Sequence, residues 1–319
     1  MIKIENLNIQ YKSKSGSFFQ KNIIKAVEDA NLILEPHSIT GLVGESGCGK
    51  STLGRGILKL LPIQSGKILF HDEDISKYSS NEMMKYRKKM QIIFQDPYSS
   101  LNPRMNIWEI ITEGLFFHEK ITKEQAEERV ISILEKMSLR PEILNRFPHE
   151  FSGGQRQRIA IARALILNPE FLVCDEISSA LDVSSQAQLV NLILEFKKNN
   201  LLSILYISHD LGLISIVSDK IAVMYLGKIV EFGSKKDMME NPLHPYTKIL
   251  FSNMFDLKNP KKKRMLLTGE IPGVLNKPKG CYFHTRCPIA KDICKELSPK
   301  YEEKSPSHFV ACHFSGENL

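Results

Sequence analysis

The sequence predicts an α/β protein with a parallel core sheet, and three observations carry that prediction. The apolar run Ile39–Val43 reads as a buried strand. It leads through a glycine-rich turn into a helical stretch, residues 53–61, stopped by Pro62. Two more apolar runs, residues 171–174 and 203–208, flank a helical-period stretch at 186–197, and strand–helix–strand implies parallel pairing through a right-handed crossover. From Asn106 to about Asn145 the apolar period is helical, so a helix-rich insertion interrupts the strands.

The elements follow in order. Ile2, Ile4, Leu7, Ile9 and Tyr11 predict an N-terminal strand with an irregular pleat. Residues 12–21 are polar, with Ser-Gly turn material around Phe18 and Phe19, and predict an exposed loop. Residues 23–34 resume β character. Residues 66–71 predict a strand entered through a turn at Gln64-Ser65, and residues 91–94 a short strand ending at Gln95. The run Glu124-Gln125-Ala126-Glu127-Glu128-Arg129-Val130, continued by Ile131, Leu134 and Met137, predicts a helix of the insertion. Ser152-Gly153-Gly154 opens another, residues 155–167, ended by Asn168-Pro169. No internal repeat is present, so one cassette is expected. After about Asp256 the chain turns rich in Lys, Pro and Gly and reads as a small appended domain.

A chain of 319 residues with 42% hydrophobic and 25% charged residues has room for a large domain plus a smaller one. The net charge of +7 invites a nucleic-acid reading. Much of that excess lies in clusters such as Lys85-Tyr86-Arg87-Lys88-Lys89 and Lys261-Lys262-Lys263-Arg264, which read as solvated faces, so no nucleic-acid partner is expected. The N-terminus has no signal-peptide pattern, and the most apolar region, residues 201–226, is broken by His209-Asp210 and Asp219-Lys220. A cytosolic protein is expected; at a membrane, another chain would carry the spans.

The chemistry begins with Gly44-Glu45-Ser46-Gly47-Cys48-Gly49-Lys50-Ser51-Thr52. Strand, glycine turn, then Lys-Ser at the mouth of a helix is the P-loop context, in which backbone N–H groups and a helix N-terminus close around a phosphate chain. Lys50 is then the ligand of the β/γ-phosphates and Ser51 a ligand of Mg²⁺. The strand at 171–174 ends in Asp175-Glu176, where ligands of parallel sheets collect; Asp175 is expected to hold Mg²⁺ and Glu176 to polarise the hydrolytic water. Phe151-Ser152-Gly153-Gly154-Gln155-Arg156-Gln157-Arg158 is a second phosphate-binding device at a helix N-terminus. Two such devices serve one γ-phosphate if two cassettes pack head to tail.

That segment resembles the signature of ABC-type ATPases, and the rest of the set stands in order. Gln95 resembles the Q-loop glutamine, which senses Mg²⁺; Ser179-Ala180-Leu181-Asp182 resembles the D-loop; His209 resembles the switch histidine. Tyr11 lies where the family places an aromatic on adenine, with Phe18 or Phe19 as alternatives. The resemblance implies an ABC cassette over residues 1–255, with a RecA-like core, an N-terminal antiparallel β subdomain and a helical subdomain at about 98–165. Gln95-Asp96-Pro97-Tyr98-Ser99-Ser100-Leu101-Asn102-Pro103, Asn241-Pro242-Leu243-His244-Pro245-Tyr246-Thr247 and Gly280-Cys281-Tyr282-Phe283-His284-Thr285-Arg286-Cys287-Pro288 narrow it to the ATPase subunits of oligopeptide, dipeptide and nickel importers. It is nearest the second ATPase of each pair. That family implies ATP and Mg²⁺, a second ATPase subunit, two permeases, an extracytoplasmic binding protein, and a peripheral position on the cytoplasmic face of the membrane. Where the family usually has proline after the catalytic acid, this chain has Ile177, which leaves the turn into the D-loop without its usual rigid residue.

Cys281, Cys287, Cys294 and Cys312 crowd into the tail, residues 256–319. Their wide spacing lacks the close pair favoured by structural zinc and suits an iron–sulfur cluster better. The resemblance also implies a [4Fe–4S] centre here, with zinc second and free thiols third; such a centre would prop up a domain too small to build a core. The functional expectation is the motor of a peptide importer. A nickel or other small-solute importer, a soluble ABC ATPase of DNA repair or translation, and a non-catalytic subunit are the alternatives; the intact Lys50, Asp175, Glu176 and His209 disfavour the last.

Overall fold

The computed structural model describes the chain except residues 14–21, 180, 181, 200, 201, 255–264, 266, 268, 271, 318 and 319. In chain order its elements are β1 (Ile2–Ser13), β2 (Asn22–Leu34), β3 (Ile39–Val43), α1 (Lys50–Ile57), β4 (Ser65–Phe70), β5 (Glu73–Asp74), α2 (Ser80–Arg87) and β6 (Met90–Ile93). Then come α3 (Pro97–Ser100), α4 (Ile107–His118), α5 (Lys123–Lys136), α6 (Gly153–Leu165), β7 (Phe171–Asp175), α7 (Val183–Asn199) and β8 (Ser203–Ile207). The last third holds α8 (Leu211–Val217), β9 (Lys220–Tyr225), β10 (Lys228–Ser234), α9 (Lys235–Glu240), α10 (Pro245–Ser252), α11 (Asp292–Glu296), β11 (Glu302–Ser305) and β12 (His308–Val310).

The chain divides into two compact units. The first comprises residues 1–35, 39–77 and 207–319. It contains an antiparallel sheet in the order β2-β1-β4-β5. The predicted irregularity of β1 is real: its register to β2 shifts between Ile4 and Leu7 and twice more by Gln10. β1 continues through Ser13, beyond the loop start expected at residue 12; the rest of that loop, with Phe18 and Phe19, lies outside the described residues. The second sheet of this unit runs β11-β12-β10-β9-β3, with β3 parallel to β9 and the remaining pairs antiparallel. β3, Ile-Thr-Gly-Leu-Val, is buried at every position, Thr40 included, as befits a parallel strand covered on both faces.

α1 ends earlier than its sequence period suggests, at Ile57. Lys59 adopts a left-handed backbone (φ 53°), and Leu60 N–H and Lys59 N–H return to the carbonyls of Arg55 and Gly56 at 2.9 Å each. This is a Schellman termination in which lysine occupies the place usual for glycine.

The second unit comprises residues 36–38 and 78–206. β8, β7 and β6 neighbour one another in that order, with β6 and β7 parallel. The helical insertion is α4, α5 and α6. α4 and α5 both begin in capping boxes, Asn106 with Glu109 and Thr122 with Gln125. Their buried stripes, Ile107, Ile110, Ile111 and Leu115 on α4 and Ala126, Val130, Ile133 and Leu134 on α5, recur at helical spacing. No helix among the described residues is long and apolar enough to cross a membrane. The domain boundary expected near residues 255–256 and the basic cluster Lys261-Lys262-Lys263-Arg264 fall on residues outside the described ones.

Candidate nucleotide site

In the first unit, β3 delivers the chain into the P-loop. Gly44 (φ 153°) and Gly49 (φ 109°) adopt backbones that side chains rarely tolerate. A Cβ at Gly44 would lie 2.1 Å from the Met224 carbonyl oxygen, and one at Gly49 2.3 Å from that of Ala26. The loop is thus wrapped so closely that only glycine fits, which is the cradle a phosphate chain needs. Lys50, the first residue of α1, is 5% exposed, and its Nζ donates to the carbonyls of Gly44 (2.8 Å) and Glu45 (3.1 Å). Its ammonium is therefore curled over the mouth of the loop. Cys48 is buried, and burial holds its thiol protonated. The Tyr11 hydroxyl shares a hydrogen bond with Thr52 Oγ1 at 3.2 Å, so this half-exposed ring stands beside the P-loop helix. His209 is exposed immediately after β8, and Asp210 caps α8 behind it by accepting from Leu213 N–H.

The outer wall of the P-loop comes from the last third of the chain. Gly227 N–H donates to the Cys48 carbonyl (2.8 Å), and the Gly227 carbonyl accepts from Glu28 N–H (2.8 Å). The Tyr246 hydroxyl accepts from Glu45 N–H (3.0 Å). Arg286 grips the Glu45 carboxylate with both guanidinium nitrogens, at 2.7 and 3.0 Å. Lys277 Nζ donates to Glu28 Oε1 (2.6 Å) and to the carbonyls of Lys25 (2.6 Å) and Leu226 (2.8 Å). Sequence reasoning placed Glu45 and Cys48 in the P-loop but assigned Gly227, Glu28, Tyr246, Arg286 and Lys277 no role. Arg286 and Tyr246 did lie inside stretches singled out for resemblance, which was the available signal.

The second unit holds the carboxylates. Asp175, at the end of β7, is fully buried. Glu176 follows in a left-handed backbone (φ 48°), and its Oε2 accepts from Gln95 Nε2 at 2.9 Å. A non-glycine residue in that region stores strain, and such strain concentrates at functional positions. Ile177 is buried, and both the N–H and the hydroxyl of Ser179 bond the Glu176 carbonyl, at 3.1 and 2.9 Å. The turn is closed by these bonds without the proline. Asp182 bonds the hydroxyls of Ser184 and Ser185, whose donors hold its carboxyl well below the usual range. Ala180 and Leu181, between the two ends of the expected D-loop, lie outside the described residues. Ser152 caps α6 through a capping box with Gln155. Gly153 and Gly154 form the first turn of that helix, where backbone N–H groups have no acceptor within the helix itself. Tyr11, residues 44–52 and His209 thus belong to one unit, and Gln95, Asp175, Glu176, Asp182 and residues 152–155 to the other.

The iron–sulfur expectation is corrected here. Among the described residues, no group of three or more Cys, His, Asp or Glu side chains has an arrangement that could hold a metal ion, and this applies to zinc as well as to a cluster. Burial pushes the thiols of Cys281, Cys287 and Cys312 up to about 11. Cys312 Sγ instead accepts Phe314 N–H at 3.4 Å, and Cys281 N–H donates to the Cys294 carbonyl at 2.8 Å. The tail is held by ordinary means. β12 adds to the edge of β10, pairing Val310 with Glu231 and Phe309 with Phe232. Phe283, 1% exposed, packs against both Tyr225 and Tyr246, 5.3 Å from each between centroids, and those two rings lie 4.8 Å apart, so the three form a triangle. The fully buried Glu231 carboxylate accepts from Leu243 N–H, His244 N–H and His308 Nε2, at 2.6, 2.9 and 2.8 Å. The tail therefore shares a core with β9, β10 and α10.

Comparison with known proteins agrees with this geometry. A family model described as ABC transporter matches residues 27–179, and one described as Oligopeptide/dipeptide transporter, C-terminal region, matches residues 230–294. The chain is 46% identical over 318 residues to the oligopeptide transport ATP-binding protein AppF of Bacillus subtilis, covering 98% of this chain and 97% of that one. It is 44% identical to the oligopeptide transport ATP-binding protein OppF of Haemophilus influenzae, covering 98% and 96%. Among solved structures, the ATP-binding cassette MJ0796 in a dimeric post-hydrolysis state with ADP and Pi is similar at a TM-score of 0.66 and 25% identity, over 74% of this chain and 99% of that one. With the P-loop wrapped, the acids set at the end of β7 and relatives matched along almost the whole length, the chain belongs to the ATP-binding proteins of the oligopeptide/dipeptide ABC transporter family.

Proposed function

We propose that this chain is an ATPase subunit that drives oligopeptide or dipeptide import. The observation that carries the hydrolytic reading is the end of β7, where a fully buried Asp175 is followed by a strained Glu176 whose carboxylate is oriented by Gln95. Lys50 binds the β- and γ-phosphates within the loop formed by Gly44, Glu45, Ser46, Gly47, Cys48, Gly49, Ser51 and Thr52, and Tyr11 stacks on the adenine. Ser51, Asp175 and Gln95 would hold Mg²⁺, which when bound offsets phosphate charge. Glu176 polarises the attacking water and His209 contacts the γ-phosphate. Gly44 and Gly49, which no side chain could replace without striking backbone, support the phosphate assignment.

In this reading Ser152, Gly153, Gly154 and Gln155 act on the ATP of a second, homologous ATPase subunit, and Ser179 and Asp182 line the contact between the two. Two permeases and an extracytoplasmic binding protein complete the complex, with this chain peripheral on the cytoplasmic face. The names of the relatives AppF and OppF, both oligopeptide transport ATP-binding proteins, favour peptide over nickel and a transporter over a soluble repair ATPase. The test is Glu176→Gln in the assembled complex in vesicles. ATP binding should persist while hydrolysis and peptide uptake fall by about a hundredfold or more. Wild-type turnover in that variant would remove Glu176 from its assigned role.

A further inference from the structure

The tail motif around Arg286 has a partner that the nucleotide reading leaves unexplained. Arg286 is 4% exposed in its side chain and forms a bidentate pair with Glu45, the second residue of the P-loop. Its Nη1 also reaches the Tyr225 hydroxyl at 3.4 Å, and bonding to Glu45 raises its affinity for its proton further. Glu45 is fixed at every polar group the loop presents: carboxylate to Arg286, N–H to Tyr246, carbonyl to Lys50 Nζ. A chain of contacts therefore runs from the C-terminal tail to the ammonium expected to bind phosphate.

We propose that Arg286 is a positioning residue for nucleotide binding, acting through Glu45; this rests on the reading of residues 44–52 as a phosphate site. Its task is electrostatic as well as geometric. A carboxylate on a phosphate-binding loop repels a triphosphate and competes for the loop's lysine unless it is neutralised. The bidentate fork does both jobs at once, cancelling the charge and turning the carboxylate toward the tail, away from Lys50. Nucleotide affinity is then set by a segment 241 residues downstream of the loop it serves.

The experiment measures ATP-analogue affinity by fluorescence titration for wild type, R286Q, R286K and the double variant E45Q/R286Q, each as the full chain. R286Q should bind roughly tenfold more weakly, because the released Glu45 carboxylate faces the phosphates. R286K, which keeps the charge and loses the fork, should fall between R286Q and wild type. E45Q/R286Q should recover to within about threefold of wild type, since the offending charge is gone. Unchanged affinity in R286Q would overturn the inference. So would equal weakness in R286Q and the double variant, which would make Arg286 a fold-holding residue only. Wild-type protein that bound no nucleotide would instead overturn the phosphate-site reading and this inference with it, so the two failures are told apart by the first titration.

Discussion

Replacing Phe283 by alanine tests how the C-terminal tail is held. The ring is 1% exposed and sits 5.3 Å from Tyr225, 5.3 Å from Tyr246 and 5.8 Å from His244. Phe→Ala in a packed core costs about 3–5 kcal/mol, including about 0.5–1.5 kcal/mol for each aromatic pair beyond its buried area. The loss falls on a segment whose backbone bonds, Cys281 N–H to Cys294 and His284 N–H to Cys281, report its docking directly. If opening of this segment governs exchange, a loss of about 3 kcal/mol lowers amide protection at Cys281 and His284 by about a hundredfold. The assay is hydrogen exchange of residues 280–297 in the full chain, with Leu297→Ala as the control. Leu297 is 58% exposed, so its truncation should change protection by less than about 0.5 kcal/mol. Equal protection in the two variants would refute the reasoning, because the aromatic cluster would then not be what anchors the tail.

Two further outcomes follow from the same structure. Gly49→Ala should cost about 2–4 kcal/mol of nucleotide affinity, combining a positive-φ penalty with a Cβ forced against the Ala26 carbonyl; isothermal titration that found wild-type affinity would contradict the described loop. His244 is fully buried, its Nδ1 accepts from Tyr246 N–H, and burial depresses its pKa from 6.5 to about 4. Below pH 6.5 the unfolded chain takes up a proton that the folded chain refuses until about pH 4, so this group's contribution is intact at pH 7 and drains as pH falls through that window. Urea denaturation should show about 2 kcal/mol of loss from this residue by pH 5, and His244→Asn, which can still cap α10, should flatten that part of the profile. An unchanged profile would show that the proton goes elsewhere.

The parts legible in the sequence are those written in contiguous residues. Strand, glycine turn and helix at 39–57 follow one another without a gap, and Gly44 and Gly49 stand where the backbone demands them. The capped helix at Gly153 was readable for the same reason, because Ser152 and Gln155 are three residues apart. The end of α1 was not, since Lys59 takes a conformation that composition assigns to glycine. The bracing of the P-loop was also illegible: Arg286 and Glu45, Lys277 and Glu28, Tyr246 and Glu45 are partners separated by more than 200 residues of chain. The four cysteines misled because residue type suggested ligand chemistry, whereas no metal-holding group forms among the described residues, and Phe283 and β12 pack the tail onto its neighbours. Among the described residues of that segment the regular elements are short, a 3-10 turn at His284–Arg286, α11, β11 and β12, so periodicity could not reveal that packing.

The unit that contains the P-loop is assembled from three separate stretches, and this governs how the chain can be made. β3 pairs with β9, joining Thr40 to Lys220 and Val43 to Val223. At a synthesis rate of about 5–20 residues per second, β3 leaves the ribosome roughly 10–40 s before its partner exists. Residues 78–206, nearly all of the other unit, emerge in that interval and are free to fold first. During the same wait an apolar strand, later buried at all of its positions, is exposed with unpaired edges. A ribosome stalled between residues 206 and 220 should therefore yield a product prone to aggregate through β3.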